Sequence, residues 1–278
     1  MATKVKKGEI MFKGKNVVIT GGSSGLGLAI AKKLATRGAI VTLIARNKEK
    51  LETAKTEIIK TGGKAHIFSS DVSRIESITE TFKKIVSEIG PPDILINSAG
   101  ILREGYFDKL SVETFREVIE TNYFGVLNSI KAALPFIIKQ KGRIVNISSV
   151  AGLMGVFGYT TYCSSKFALV GLSESLRYEM KPLGVMVHLV CPSEFVSPMT
   201  LDLNDTRTPE NKAHTLTIPE YDIETMVKDT IKGMEKGKFL IIPGLLCRLT
   251  VWGARSFPAI SRLVSDFRIR RVFVDRHL

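Results

Sequence analysis

The sequence predicts an α/β protein built on one doubly wound parallel sheet of about seven strands. Two observations carry this expectation. Short continuous apolar runs alternate with amphipathic helical periods along most of the 278 residues. The first such run leads at once into a glycine-rich turn that opens a helix.

Taken in order, Asn16–Thr20 reads as a buried strand and Leu26–Arg37 as the helix after the turn. Ile40–Ala45 and Lys48–Lys60 form the second strand and helix, and Ala65–Ser69 and Ile75–Ile89 the third pair. Pro91 and Pro92 end that last helix. Ile94–Asn97 is a short fourth strand. Ser111–Lys139 reads as one long helical stretch that Pro135 is expected to bend or shorten. Arg143–Ser148 is the fifth strand, Thr161–Met180 a helix and Val185–Cys191 the sixth strand. A helix at Asp222–Lys236 precedes the seventh strand, Phe239–Ile242. Residues 1–14 then form an N-terminal extension, 15–243 a single domain, and 244–278 a basic tail.

Composition narrows the function classes. With 44% hydrophobic and 24% charged residues the chain can bury a sizeable core. A net charge of +13 suits nucleic acid, an anionic membrane surface, or anionic cofactors and substrates. No zinc finger and no basic run with interleaved aromatics is present, so nucleic acid is not expected. Cys163, Cys191 and Cys247 are odd in number and lack a C-x-x-C pair. That argues against a disulfide framework or a metal site and fits a reducing, cytoplasmic compartment. Met1 to Lys15 is basic without an apolar core, so it does not read as a signal peptide. No apolar run reaches the roughly 18 residues of a membrane span.

The turn Thr20-Gly21-Gly22-Ser23-Ser24-Gly25-Leu26-Gly27 has a strand before it and a helix after it. Glycine lets backbone approach a ligand, and the helix N-terminus offers N–H groups and a positive dipole end to phosphate. The loop therefore reads as a dinucleotide site in a Rossmann-type fold, with Gly21, Ser23, Ser24, Gly25, Leu26 and Gly27 as candidates. The second strand ends Leu43-Ile44-Ala45-Arg46, without the acid that would hold a ribose 2′-hydroxyl. Arg46 and Lys50, four apart, suit a 2′-phosphate instead, so NADP(H) is expected.

Tyr162 and Lys166 lie four apart on one helix and share a face. An ammonium beside a phenol stabilises the phenolate and is expected to lower its pKa from about 10, making tyrosine a usable proton donor or acceptor. Ser149 ends the fifth strand, thirteen residues earlier, where its hydroxyl can hold a substrate oxygen.

With these residues in place the chain resembles the short-chain dehydrogenase/reductase family. The likeness rests on Thr20-Gly21-x-x-x-Gly25-x-Gly27, Asp71-Val72, Asn97-Ser98-Ala99-Gly100, Asn122, Ser149 and Tyr162-x-x-x-Lys166, over about Lys15 to Pro198. The resemblance implies Tyr162 as general acid/base, Lys166 as ribose ligand and tuner, and Ser149 as carbonyl polariser. It implies that Asn122 holds a water leading from Lys166 to solvent. Asp71 would contact adenine beside Val72, and Asn97, Ala99 and Gly100 would line the cofactor cleft. It also implies a dimer or tetramer. Where the family shows Pro-Gly and then Thr, this chain has Pro192-Ser193-Glu194-Phe195-Val196-Ser197, putting the backbone path in doubt. Ser197, beside Val196, can supply the missing hydroxyl. That acidic stretch, Pro209-Glu210-Asn211-Lys212 and the segment Ser148–Tyr159 are similar to the 3-ketodihydrosphingosine reductase branch.

Residues 192–220 read as a substrate loop, of which Leu201–Glu220 has mixed polarity and no period. In the tail, Arg248, Arg255 and Arg262 fall seven apart among Leu245, Leu246, Leu249, Val251, Trp252, Phe257 and Ile260. Such a segment suits either a membrane interface or packing on the domain or a second subunit. The expected activity is NADPH-dependent reduction of a hydrophobic, lipid-like ketone to an alcohol, or the reverse. The expected location is the cytoplasm or a cytoplasm-facing membrane surface. Steroid, acyl and small ketones are alternative substrates. The rival class is a non-catalytic dinucleotide sensor or scaffold, which would not need the serine, tyrosine and lysine together.

Overall fold

A computed structural model describes residues 11–204 and 207–277. Residues 1–10 of the extension, Asp205 and Thr206 of the substrate loop, and Leu278 lie outside the described residues.

Seven strands, β1 (Asn16–Thr20), β2 (Ile40–Ala45), β3 (Lys64–Ser69), β4 (Ile94–Asn97), β5 (Arg143–Ile147), β6 (Met186–Val190) and β7 (Leu240–Ile241), form one sheet. Their order is β3-β2-β1-β4-β5-β6-β7, and every pair is parallel. Parallel neighbours need crossovers, and here helices supply them on both faces. On one face lie α1 (Gly25–Ala35), α2 (Lys48–Lys60) and α9 (Ile223–Glu235), packed through Ile30, Leu34, Leu51, Ile58, Met226 and Ile231. On the other lie α3 (Ile75–Glu88), α5 (Gly125–Lys139) and α6 (Thr160–Met180), packed through Phe82, Ile85, Ile130, Ile137 and Leu169. Burial on both faces explains why strands such as Val17–Ile19 are apolar throughout instead of alternating.

The long stretch 111–139 is not one helix. It divides into α4 (Val112–Ile119), a π turn (Glu120–Phe124) and α5. Pro135 does not end α5, which runs on to Lys139. Val126, Ile130, Ala133 and Ile137 continue at helical spacing against the sheet, and this burial outweighs the lost backbone hydrogen bond. The substrate loop holds two short helices, α7 (Pro198–Asn204) and α8 (Pro209–Thr215). The tail forms α10 (Leu245–Ser256) and α11 (Pro258–His277). No helix among the described residues is long and apolar enough to cross a membrane.

Candidate active site

The strand order turns back between β1 and β4, so the loops leaving their carboxyl ends diverge and open a crevice. The register sets the motif loops level: Thr20 pairs with Asn97, Asn97 with Asn146, and Ile147 with Val190. The residues that follow these strand ends enclose a cleft of ≈ 210 Å³. Gly21, Ser24, Gly25 and Leu26 line it from the first loop, and Ser98 and Gly100 from the loop after β4. Ser148 and Ser149 follow from β5, and Pro192 to Phe195 with Ser197 from β6.

Gly21 has φ +66°, and a Cβ there would lie 2.6 Å from the Ala99 amide nitrogen. Only glycine lets the two loops approach this closely. Its N–H donates to the Ile44 carbonyl at 2.8 Å, tying the loop to β2. Gly27 is packed just as tightly, against the Gly21 carbonyl. The N-cap of α1 is Ser24, whose side chain makes no capping hydrogen bond, and the first turn carries no acid. The helix thus presents N–H donors and its positive dipole end to the cleft, which is the requirement for a phosphate. Ser193 adds a buried hydroxyl to the same cleft, beside the Cys247 thiol. These features fit a dinucleotide pyrophosphate.

Tyr162 and Lys166 both reach the cleft from one face of α6, with Ser149 opposite at the end of β5. Strand and helix are pinned reciprocally. Lys166 Nζ donates to the Ile147 carbonyl at 3.0 Å, and Ser148 Oγ donates to the Lys166 carbonyl at 3.1 Å. Lys166 is only 4% exposed, its ammonium lies 5.5 Å from the Tyr162 ring centre, and burial lowers its pKa to about 8. The expected lowering at Tyr162 is not what the site does. Surrounding protein pushes the phenol above its ordinary value, and the hydrogen-bonding Ser149 hydroxyl opposes that only in part. Tyr162 therefore holds its proton at neutral pH, the form that can donate to a carbonyl oxygen. Ser149 also accepts the Ala151 N–H at 3.1 Å, which orients its hydroxyl at the start of a short 3₁₀ turn.

Asn122 sits in the π turn, fully buried. Its Nδ2 donates to the Ile101 carbonyl at 2.9 Å and to Ser165 Oγ at 3.0 Å, and its Oδ1 accepts the Ile101 N–H at 2.8 Å. Both donors are engaged by protein, so Asn122 braces the loop after β4 against α6. It meets Lys166 across Gly100, where a Cβ would lie 3.2 Å from Asn122 Oδ1 and 3.6 Å from Lys166 Nζ.

Several expected cofactor residues stand elsewhere. Asn97 is wholly buried in the sheet, where Nδ2 donates to Asn146 Oδ1 at 2.9 Å and Asn146 Nδ2 in turn donates to Ser173 Oγ at 2.9 Å. It pins β4, β5 and α6 together and does not line the cleft. Val72 belongs to the core against Gly125. Asp71 accepts the Ser73 N–H and hydroxyl at 3.0 and 2.8 Å. Ala99 lies behind Gly21, Ser23 is half-buried beside the lining residues, and Val196 is 65% exposed between the lining residues Phe195 and Ser197. Arg46 and Lys50 are exposed where β2 ends and α2 begins, next to the strand that holds Gly21 but outside the cleft. Asn47 caps α2 there on the Lys50 N–H at 2.8 Å.

A side-chain network in the 192–220 loop is not legible in the sequence. Arg207 is almost buried and forks onto both Glu194 carboxylate oxygens at 2.6 and 2.7 Å, and it donates to Thr215 Oγ1 at 2.9 Å. Thr208 caps α8 and donates to Glu104 Oε1 at 2.6 Å, while His214 Nδ1 accepts the Phe157 N–H at 3.0 Å. Ser193 stands where the glycine was expected, and Glu194 after it anchors Arg207 of the 192–220 loop. The backbone follows an ordinary path there, since Lys141 is the one non-glycine residue with positive φ among those described. The lone acid in an apolar strand-end segment was the available signal. Leu102, Val156, Phe195, Met199 and Ile218 complete an apolar wall.

Together these features define an oxidoreductase that works between CH–OH and C=O carbons with a nicotinamide dinucleotide. The chain belongs to the short chain dehydrogenase family, whose model matches residues 15–208. It is 38% identical over 237 residues to the 3-ketodihydrosphingosine reductase of Bos taurus, covering 81% of this chain and 70% of that one. It is 37% identical over 199 residues to a 3-oxoacyl-acyl-carrier-protein reductase of Aquifex aeolicus, covering 71% and 80%. Among solved structures, a short chain dehydrogenase/reductase from Burkholderia phymatum in complex with NAD superposes with TM-score 0.79 at 23% identity, covering 90% of this chain and 95% of that one.

Proposed function

We propose that this chain is an NADPH-dependent reductase of a hydrophobic, long-chain ketone of the 3-ketodihydrosphingosine kind. The observation that carries the reading is a protonated phenol and a serine hydroxyl converging on one end of a cleft whose other wall is apolar. The relative from Bos taurus supports the substrate class. The absence of an acid after β2, with Arg46 and Lys50 exposed beside the glycine loop, supports NADP over NAD.

The nicotinamide, when bound, supplies a hydride to the carbonyl carbon. Gly21, Gly25 and Leu26 hold the pyrophosphate by backbone. Ser149 donates a hydrogen bond to the carbonyl oxygen and polarises it. Tyr162 delivers its proton to that oxygen as charge develops there. Lys166, protonated below pH of about 8, stabilises the phenolate left behind. Asn122 fixes the loop and helix that place Lys166. The Glu194–Arg207 pair holds the lid over the apolar wall.

The reading includes a reducing, cytoplasm-facing location, supported by three buried free cysteines. It also includes a homo-oligomer, supported by Phe124 and Tyr178 exposed near the long central helices. The test is NADPH oxidation with 3-ketodihydrosphingosine in mixed micelles, beside 3-oxoacyl thioesters, a steroid ketone and a small ketone. The long-chain amino ketone is expected to give the highest kcat/KM. A thioester turning over faster moves the assignment to acyl chains, and NADPH bound without turnover of any ketone supports the non-catalytic reading.

A further inference from the structure

The last two helices carry an apolar face that the domain leaves uncovered. α10 buries Cys247 and Val251 against Val150, Leu153 and Leu189, while Leu245, Leu246, Leu249 and Trp252 are each more than half exposed. α11 turns Ser261, Ser265 and Ile269 inward. Ile260, Leu263, Val264 and Phe267, at spacing i, i+3, i+4, i+7, form its exposed stripe, with Leu263 at 69% exposure. Trp252 and Phe257 meet edge to face at 6.1 Å, so the stripe continues around the corner between the helices.

Charge decides what fits this face. Arg248, Arg255, Arg262, Arg268, Arg270 and Arg271 stand along the two helices, against Asp266 as the single acid between 245 and 273. Arg248 leans to Asp229 at 3.9 Å, and among the described residues the other five form no salt bridge. A second copy docked on this face by a twofold axis would bring two arginine-rich surfaces together, with Asp266 of each as the only acid between 245 and 273 to oppose them. An anionic bilayer surface satisfies both features, taking the leucines, phenylalanines and tryptophan at the acyl boundary and the arginines at the phosphates.

We propose that α10 and α11 lie in the plane of an anionic lipid surface and anchor the protein there. This goes beyond the reductase reading and does not rest on it. The position gives the anchor a use. α8 lies between α11 and the cleft, with Thr215 in the cleft wall and His214 facing a space of ≈ 590 Å³ under the tail. The lipid surface is thus one helix away from the substrate lid.

Trp252 is the chain's one tryptophan and reports the contact directly. Vesicles of phosphatidylcholine with about a third phosphatidylglycerol should shift its emission to the blue, and acyl-brominated lipid should quench it. Binding should be at least about tenfold tighter than to phosphatidylcholine alone and should weaken with salt. Leu263→Ser/Phe267→Ser should bind about tenfold less well with an unchanged thermal midpoint. Arg270→Glu/Arg271→Glu, which keeps the stripe, should lose the preference for anionic lipid. Trp252 emission indifferent to anionic vesicles overturns the proposal. So does a concentration-dependent dimer that protects Trp252 and that Leu263→Ser/Phe267→Ser dissociates, which assigns the face to a second copy. Neither readout depends on NADPH turnover.

Discussion

The two ends of the cleft are built by opposite means. At the glycine loop the ligand surface is backbone: a positive-φ turn, a close approach to Ala99 and an uncapped helix end. At the 192–220 loop it is a set of side-chain bonds, Arg207 to Glu194 within the loop and Thr208 to Glu104 from a segment far away in sequence. The first kind of site tolerates almost no substitution at its glycines. The second can be rebuilt residue by residue without disturbing the sheet, which suits a region that sets substrate choice.

That contrast can be broken in graded steps. Gly21→Ala should cause the largest loss, because the new Cβ meets main chain and the φ is strained. A cost of about 2–3 kcal/mol in thermal stability and about hundredfold weaker NADPH binding are expected. Gly155→Ala, where a Cβ meets nothing within 4 Å, is the neutral control. Equal effects in the two variants would remove the special role given to the backbone loop.

Arg46→Ala should weaken NADPH about tenfold to hundredfold and leave NADH nearly unchanged, as measured by nucleotide fluorescence titration. A parallel loss for both nucleotides would argue against a 2′-phosphate contact. The pH profile is the next step. Lys166, with its pKa lowered to about 8, is charged below that value and loses its proton above it. kcat/KM for ketone reduction should therefore fall by up to about tenfold per pH unit above pH of about 8. A flat profile through that range would contradict the role given to the ammonium. The smallest effect belongs to Arg207→Met, which frees the lid from Glu194. KM for the long-chain ketone should rise about fivefold with kcat within about twofold. An unchanged KM would show that the lid does not touch the substrate.

The same contrast explains what could be read from the chain before its structure. Gly21, Gly25, Tyr162 and Lys166 were legible because each solves a local problem at a fixed spacing: a turn, a helix start, one helical face. The sheet was legible because strands buried on both faces must be apolar throughout. The pairing of Asn97 with Asn146 is not legible, because it is a contact between strands that no local spacing reports. The phenol's raised pKa was missed because burial is a property of the assembled site. The split of 111–139 by a π turn was missed because its apolar period runs on across the break.

The most direct measurement compares wild type with Tyr162→Phe for oxidation of NADPH by the preferred ketone, with nucleotide affinity measured on the same samples. Removing only the phenolic hydroxyl should lower kcat at least about hundredfold while NADPH affinity stays within about threefold. A phenylalanine variant that reduces the ketone within about tenfold of wild type would contradict proton delivery by Tyr162.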